Sequence, residues 1–218
     1  MSTYPFAVTH ELPGWELYWV HLEGLAGADS QLAALRSSCE ERARSSFASE
    51  GISSHPTAAA VRALFRAAGT DPTRYRPSSE ALLRRVLKGE ELPPLLPLID
   101  LNNCLSIELV VPCSLVAEGS LEPPVTLRAG RAGEEFHSLR GPFNLERKPL
   151  LEDRAGPLGT PITDGERGKI RPETERAWMV AYLPAGAVRA SEADEKLRDL
   201  LAAAPVATAS SPFVSSSR

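Results

Sequence analysis

Apolar residues recur at spacings of three and four through the first half of this chain, and in short runs or partial alternation through the second. Residues 12–25, Leu-Pro-Gly-Trp-Glu-Leu-Tyr-Trp-Val-His-Leu-Glu-Gly-Leu, mix aromatic and aliphatic side chains with partial alternation, which predicts a strand. Asp29-Ser30 then offers a cap, and Leu32, Leu35, Cys39, Ala43 and Phe47 form one stripe of an amphipathic helix ending near the polar 45–54 stretch. A second helix is expected from about Thr57 to Ala68, with Val61, Leu64 and Phe65 inward and Gly69 as its stop. The Asp71-Pro72 and Arg76-Pro77 steps force extended backbone. Ser78 or Ser79 caps a third helix carrying Leu82, Leu83, Val86 and Leu87 and closed by Gly89. After Pro93, Pro94 and Pro97, a fourth helix from Leu98 to about Val110 carries Leu101, Leu105 and Leu109 on one face.

The pattern changes after Pro112. Residues 125–136 read as strand, glycine turn, strand, and 141–165 as short strands joined by Pro- and Gly-rich turns. Trp178-Met-Val-Ala-Tyr-Leu183 is a buried strand, and Glu192 to Ala203 a terminal helix. Residues 205–218, rich in Ala, Ser, Thr and Pro, are expected to be a disordered tail. The fold class is therefore α+β.

With 218 residues, 43% of them hydrophobic, the chain can bury a sizeable core as one domain or one domain with an elaboration. It has no apolar run of the roughly 18 residues needed to span a membrane. Met1-Ser-Thr-Tyr-Pro-Phe lacks the basic and apolar regions of a secretory signal. Cys39, Cys104 and Cys113 form no CxxC pair and read as reduced thiols, so a cytoplasmic location is expected. The net charge of −4 disfavours indiscriminate nucleic-acid binding. Charge is uneven, however: between Arg62 and Lys88 seven basic residues face two acidic ones. That segment is either a solvated helix face or a groove guiding one RNA end.

His10, His21, His55 and His137 are scattered without metal-ligand spacing, and P-loop, dinucleotide and GxSxG signatures are lacking, so no metal or cofactor is expected. Asp100-Leu-Asn-Asn103 opens the fourth helix, where an acid and two amides suit capping and the helix dipole. In Thr163-Asp-Gly-Glu-Arg-Gly-Lys-Ile170, two glycines bracket Glu166 and Arg167; this is a plain polar turn or a ligand-contacting one. Cys113 follows Pro112 in an apolar context and reads as a packing residue rather than a nucleophile.

Asp71-Pro-Thr-Arg-Tyr-Arg-Pro-Ser-Ser-Glu-Ala-Leu-Leu-Arg-Arg-Val-Leu-Lys-Gly89, the Asp100/Asn103 pair, Phe143-Asn-Leu145 and Asp164-Gly-Glu166 together resemble the B3/B4 domain. That domain is the editing module of the bacterial phenylalanyl-tRNA synthetase β-subunit, and it also occurs as freestanding proteins of about this size. The likeness is strongest from Val61 to Ser114 and returns from Glu134 to Leu183. It implies a B3/B4 domain over 56–204, a strand–helix extension over 1–55 packed on it, and the tail. Nothing resembles an adenylate-forming module, so the chain does not charge tRNA.

The resemblance further implies a partner, the 3′ end of aminoacyl-tRNA, and an activity, hydrolysis of the ester of misacylated tRNA. By it Glu166 reads the amino-acid side chain, Ser114 and Asn103 join Glu166 in the catalytic set, and Asp100, Asn144, Thr163 and Gly165 line the substrate pocket. Arg74, Arg76, Arg84 and Arg85 become the residues for phosphate contact. One departure matters: the synthetase has a pocket histidine where Val111-Pro-Cys-Ser114 puts Ser114. The attacking water would then depend on amides near Gly165, on Ser114 or Asn103, or on a hydroxyl of the terminal adenosine. A non-catalytic module binding tRNA or an amino acid, and a hydrolase or binder of a small aminoacyl compound, stay open as alternatives.

Overall fold

The computed structural model describes residues 5–24, 29–48 and 51–217; for residues 29 and 30 only the backbone is described. The strand read at residues 12–25 is β2 (Trp15–Gly24), preceded by β1 (Val8–His10). Helices α1 (Asp29–Ser46), α2 (Pro56–Ala67), α3 (Ser78–Leu87) and α4 (Pro97–Leu109) follow. Next come β3 (Cys113–Ala117), β4 (Val125–Ala129), β5 (Glu135–Ser138), β6 (Gly141–Asn144), β7 (Pro149–Asp153) and β8 (Gly156–Gly159). The chain continues as β9 (Arg176–Pro184), α5 (Ala190–Ala203), β10 (Ala207–Ala209) and β11 (Phe213–Ser216). The cap expected at Asp29-Ser30 and the strand end at Leu25 lie outside the described side chains.

β2 is the long inner strand of the larger sheet. It pairs antiparallel with β9 along one edge and with β10 and β11, end to end, along the other, while β3 pairs the far side of β9. Alternation along β2 sends Trp15, Leu17 and Trp19 to one face and Tyr18, Val20 and Leu22 to the other, all of them buried. The second face is the helical one: the Tyr18 hydroxyl donates to Asp194 on α5 at 2.9 Å. α4 also packs there, and Asn102 Nδ2 donates to the Cys113 carbonyl at 3.3 Å. The first face carries α2, through Trp15 against Phe65 at 6.2 Å, and the smaller sheet ordered β1-β4-β7-β8.

Two sequence expectations change. Pro77, not a serine, is the N-cap of α3, without a side-chain cap bond; Ser78 instead donates its backbone N–H to the Pro161 carbonyl at 2.9 Å. The tail expected to be disordered is sheet: residues 207–209 and 213–216 complete the edge of β2. Its composition hid the anchor. Phe213 stacks on Trp19 at 6.2 Å and 6° and meets Phe6 edge-on at 5.1 Å, so one ring docks an otherwise polar segment.

Arg128, on β4 and 1% exposed, holds the smaller sheet to its neighbouring turn. Its guanidinium donates to Glu152 on β7 at 2.5 and 2.7 Å and to Glu134 at 2.8 and 2.5 Å. These bidentate bonds draw the Glu134 carboxyl down to about 2.

Candidate functional site

The segment Thr160–Gly165 is a hub. Thr163 donates its N–H to the Thr160 hydroxyl at 2.9 Å, and its carbonyl accepts from Thr160 N–H and Oγ1, giving a compact turn. The Asp164 carbonyl accepts the Leu139 N–H at 3.0 Å, tying the turn to the β5–β6 hairpin, and Pro161 receives the start of α3. A Cβ on Gly165 would lie 2.4 Å from the Leu158 oxygen and 3.1 Å from Phe136 Cε2. The glycine is thus required by packing, and its N–H is bonded to Leu158 O at 2.9 Å, so it is not a free oxyanion donor.

Ser114 follows Cys113 on β3 and therefore points to the face opposite α4 and α5, where it is 4% exposed. It meets Asp164 and Tyr182 there. Burial pushes the Asp164 carboxyl up to about 6, while the Ser114 hydroxyl and the Leu115 N–H, both against it, favour the ionised form. Burial, and then the Asp164 charge, push the Tyr182 phenol up as well. The Tyr182 hydroxyl has no hydrogen-bond partner of good geometry among the described residues. As a residue Asp164 is part-buried, with its carboxyl turned inward. A carboxylate with a pKa near 6 can take a proton from water at neutral pH.

The other expected residues are distributed differently. Glu166 opens a short turn at the surface, its carboxylate 3.2 Å from Lys169 Nζ and 3.8 Å from Arg171. Arg167 is not presented to a ligand: it donates to Asp153 at 2.7 and 3.1 Å and to the Ser120 and Gly156 carbonyls. Asp100 and Asn103 sit on α4, across the sheet from Ser114. Asp100 accepts the Leu95 N–H at 3.0 Å and pairs with Arg36 of α1, so it fastens the start of the helix. Asn144 caps its own turn, accepting from Glu146 N–H at 3.0 Å and Lys148 Nζ at 3.2 Å. Arg84 and Arg76 converge with Arg62 on buried Glu80, and Arg85 binds the Glu91 carbonyl at 2.8 Å. Arg74 is exposed, with its guanidinium carbon 5.2 Å from the Tyr75 ring.

Three of the four sequence motifs nonetheless converge on one place. Tyr75 lies 6.1 Å from Phe143, Phe143 lies 6.0 Å from Phe136, and Phe136 abuts Gly165. Sequence reasoning missed Asp164 and Tyr182. Asp164 lay within the motif Asp164-Gly-Glu166, and the period-2 parity of β3 and β9 puts Ser114 and Tyr182 on one face.

A family model for the B3/4 domain matches residues 60–202. The chain belongs to the B3/4 domain family. The B3/4 match covers Ser114, Asp164 and Tyr182 and leaves β2, β10 and β11, three strands of the larger sheet, outside it. Among solved structures, the chain is similar to an N-terminal fragment of the phenylalanyl-tRNA synthetase β-subunit from Pyrococcus horikoshii, with 14% identity and a TM-score of 0.46. That alignment covers 98% of this B3/4 chain and 53% of the fragment, so the chain spans about half the fragment's length. No curated protein sequence matches. Among the described residues no helix is long and apolar enough to cross a membrane.

Proposed function

We propose that this B3/4 protein is an aminoacyl-tRNA editing module that hydrolyses the ester of a misacylated tRNA, with Asp164 as the general base. The observation that carries the reading is the Asp164 carboxyl, held at about 6 against Ser114 and the Leu115 N–H where the motif segments converge. In its ionised form it accepts a proton from a water attacking the ester carbonyl and returns it to the departing ribose oxygen, which leaves as the hydroxyl. Ser114 orients that carboxylate. The buried Tyr182 hydroxyl, beside Ser114, is suited to donate to the developing oxyanion. Glu166 stands at the rim and, released from Lys169, accepts a hydroxyl on the amino-acid side chain; that assignment follows the family resemblance.

Binding without hydrolysis is the second reading. It is favoured by the serine at the position of the synthetase's histidine and by the pairing of Glu166 with two cations. A deacylation assay over correctly and incorrectly charged tRNAs, tyrosine on phenylalanine-specific tRNA included, separates the two. Turnover of one mischarged species that is lost in Asp164→Asn supports hydrolysis. Absent turnover with tRNA binding retained supports the module. Redirected amino-acid preference in Glu166→Ala tests the rim assignment.

A further inference from the structure

The cations of the Arg62–Lys88 stretch are not equivalent. Arg62, Arg76 and Arg84 share one carboxylate, Glu80, and Arg85 binds Glu90 and the Glu91 carbonyl, so these guanidinium groups are held by protein partners even though Glu80 offsets only one charge. Cations less tightly held by the protein lie elsewhere. Arg74 is exposed, its guanidinium beside the Tyr75 ring. Arg147 is 74% exposed, with Glu146 no closer than 3.9 Å. Its backbone is anchored to the end of α2, because its carbonyl accepts the Thr70 hydroxyl at 2.7 Å. Between them is Lys148, 3% exposed, its ammonium 3.9 Å from the centre of the Tyr75 ring and 5.6 Å from that of Phe143. Among the described residues no carboxylate reaches ion-pairing distance of Lys148; it donates to Asn144 Oδ1 and the Glu146 carbonyl. From this cluster the half-exposed rings of Tyr75, Phe143 and Phe136 run to Gly165, next to Asp164.

We infer that Arg74, Arg147 and Lys148, with the Tyr75–Phe143–Phe136 row, form a binding site for a single RNA strand and lead its 3′ end to Asp164. Guanidinium groups suit phosphates, and half-exposed rings between them suit unpaired bases, which every nucleotide can offer whatever its sequence. Duplex RNA would present a phosphate surface and leave the rings without a role. The site rests on the tRNA reading above and specifies where the strand runs: along the β6–β7 turn rather than along α3.

The test is fluorescence anisotropy of the full chain with a 5′-labelled single-stranded RNA octamer ending in CCA. Arg74→Glu combined with Arg147→Glu changes exposed side chains and leaves the melting temperature intact. It is expected to weaken binding about tenfold or more at 0.1 M salt and to lower the log–log salt slope by roughly 0.7 for each phosphate no longer neutralised. Phe143→Leu keeps the apolar volume but removes the ring, and is expected to weaken binding several-fold with the slope unchanged. The site is overturned if the wild type does not bind the octamer, if the double variant binds as the wild type does, or if Arg84→Glu with Arg85→Glu weakens binding as much. Displacement by polyglutamate of matched charge as effective as by unlabelled RNA also overturns it, in favour of an acidic protein partner. Binding without deacylation removes the catalytic reading and leaves the site. Deacylation unaltered in Arg74→Glu/Arg147→Glu removes the site and leaves the catalytic reading.

Discussion

Ser114 and Asp164 meet on the face of the larger sheet turned away from α4 and α5, and the serine hydroxyl favours the ionised carboxylate against the burial that opposes it. The raised pKa carries a stability consequence. The folded state holds its proton to about pH 6, whereas the carboxyl's ordinary value is 3.8. The contribution of this group is therefore full below pH 3.8 and is lost as pH rises through about 6. Asp164→Asn should be the more stable protein at pH 7.5, by about 1–3 kcal/mol, with the difference closing towards pH 4. Urea denaturation of both proteins at several pH values measures it. Deacylation by the wild type should run the other way, rising as pH passes about 6.

The Arg128 clasp predicts an acid limb. The Glu134 carboxyl titrates near 2 instead of 4.5, so the stability it supplies is present above pH 4.5 and is lost as pH falls towards 2. Arg128→Met should cost about 2–3 kcal/mol at pH 7, less than a fully buried pair because both glutamates keep some solvent. It should also flatten the fall in stability between pH 4.5 and 2, read from melting temperatures across that range.

Gly165→Ala should disturb the hub turn rather than remove chemistry. The new Cβ meets the Leu158 carbonyl at 2.4 Å, and the strain is expected to cost about 1–3 kcal/mol, or some 3–10 °C in Tm. Calorimetry gives the stability change. Activity should fall with it even though no reacting group has changed.

Phe213→Ala tests whether the last strands are structural. The ring packs with Phe6, Trp19 and Trp178, and its loss should cost about 3–5 kcal/mol. Hydrogen exchange should show residues 207–216 losing protection before the rest of the larger sheet. Unchanged stability would return this segment to the status of a tail.

The helices were legible because their apolar spacing holds over whole turns: Leu32 to Phe47 buries one stripe of α1, while Leu101, Leu105 and Leu109 sit in α4, which is buried on most sides. The end of the chain was not, because composition averages over fourteen residues while Val206, Ala207 and Phe213 are the ones buried in the core. The site was half legible. Motif order located the segment around Gly165, but the choice of acid fell on Glu166, two positions beyond the carboxylate that is buried. Which of two acids in one turn faces inward depends on where Arg167 goes, and Arg167 is fixed by Asp153, fourteen residues earlier. No local pattern carries that pairing. The arginines around α3 carry information that a count along the sequence lacks: Arg62, Arg76 and Arg84 all converge on Glu80, which fixes their side chains while offsetting a single charge.

The neighbours of β2 come from residues 176–184 on one side and 207–216 on the other. During synthesis this strand emerges early and then has no partner until most of the chain has been made. Pairings of such sequence separation close slowly, because a long loop must first be brought together. Closure of the larger sheet is therefore expected to follow formation of the helices, whose contacts are local.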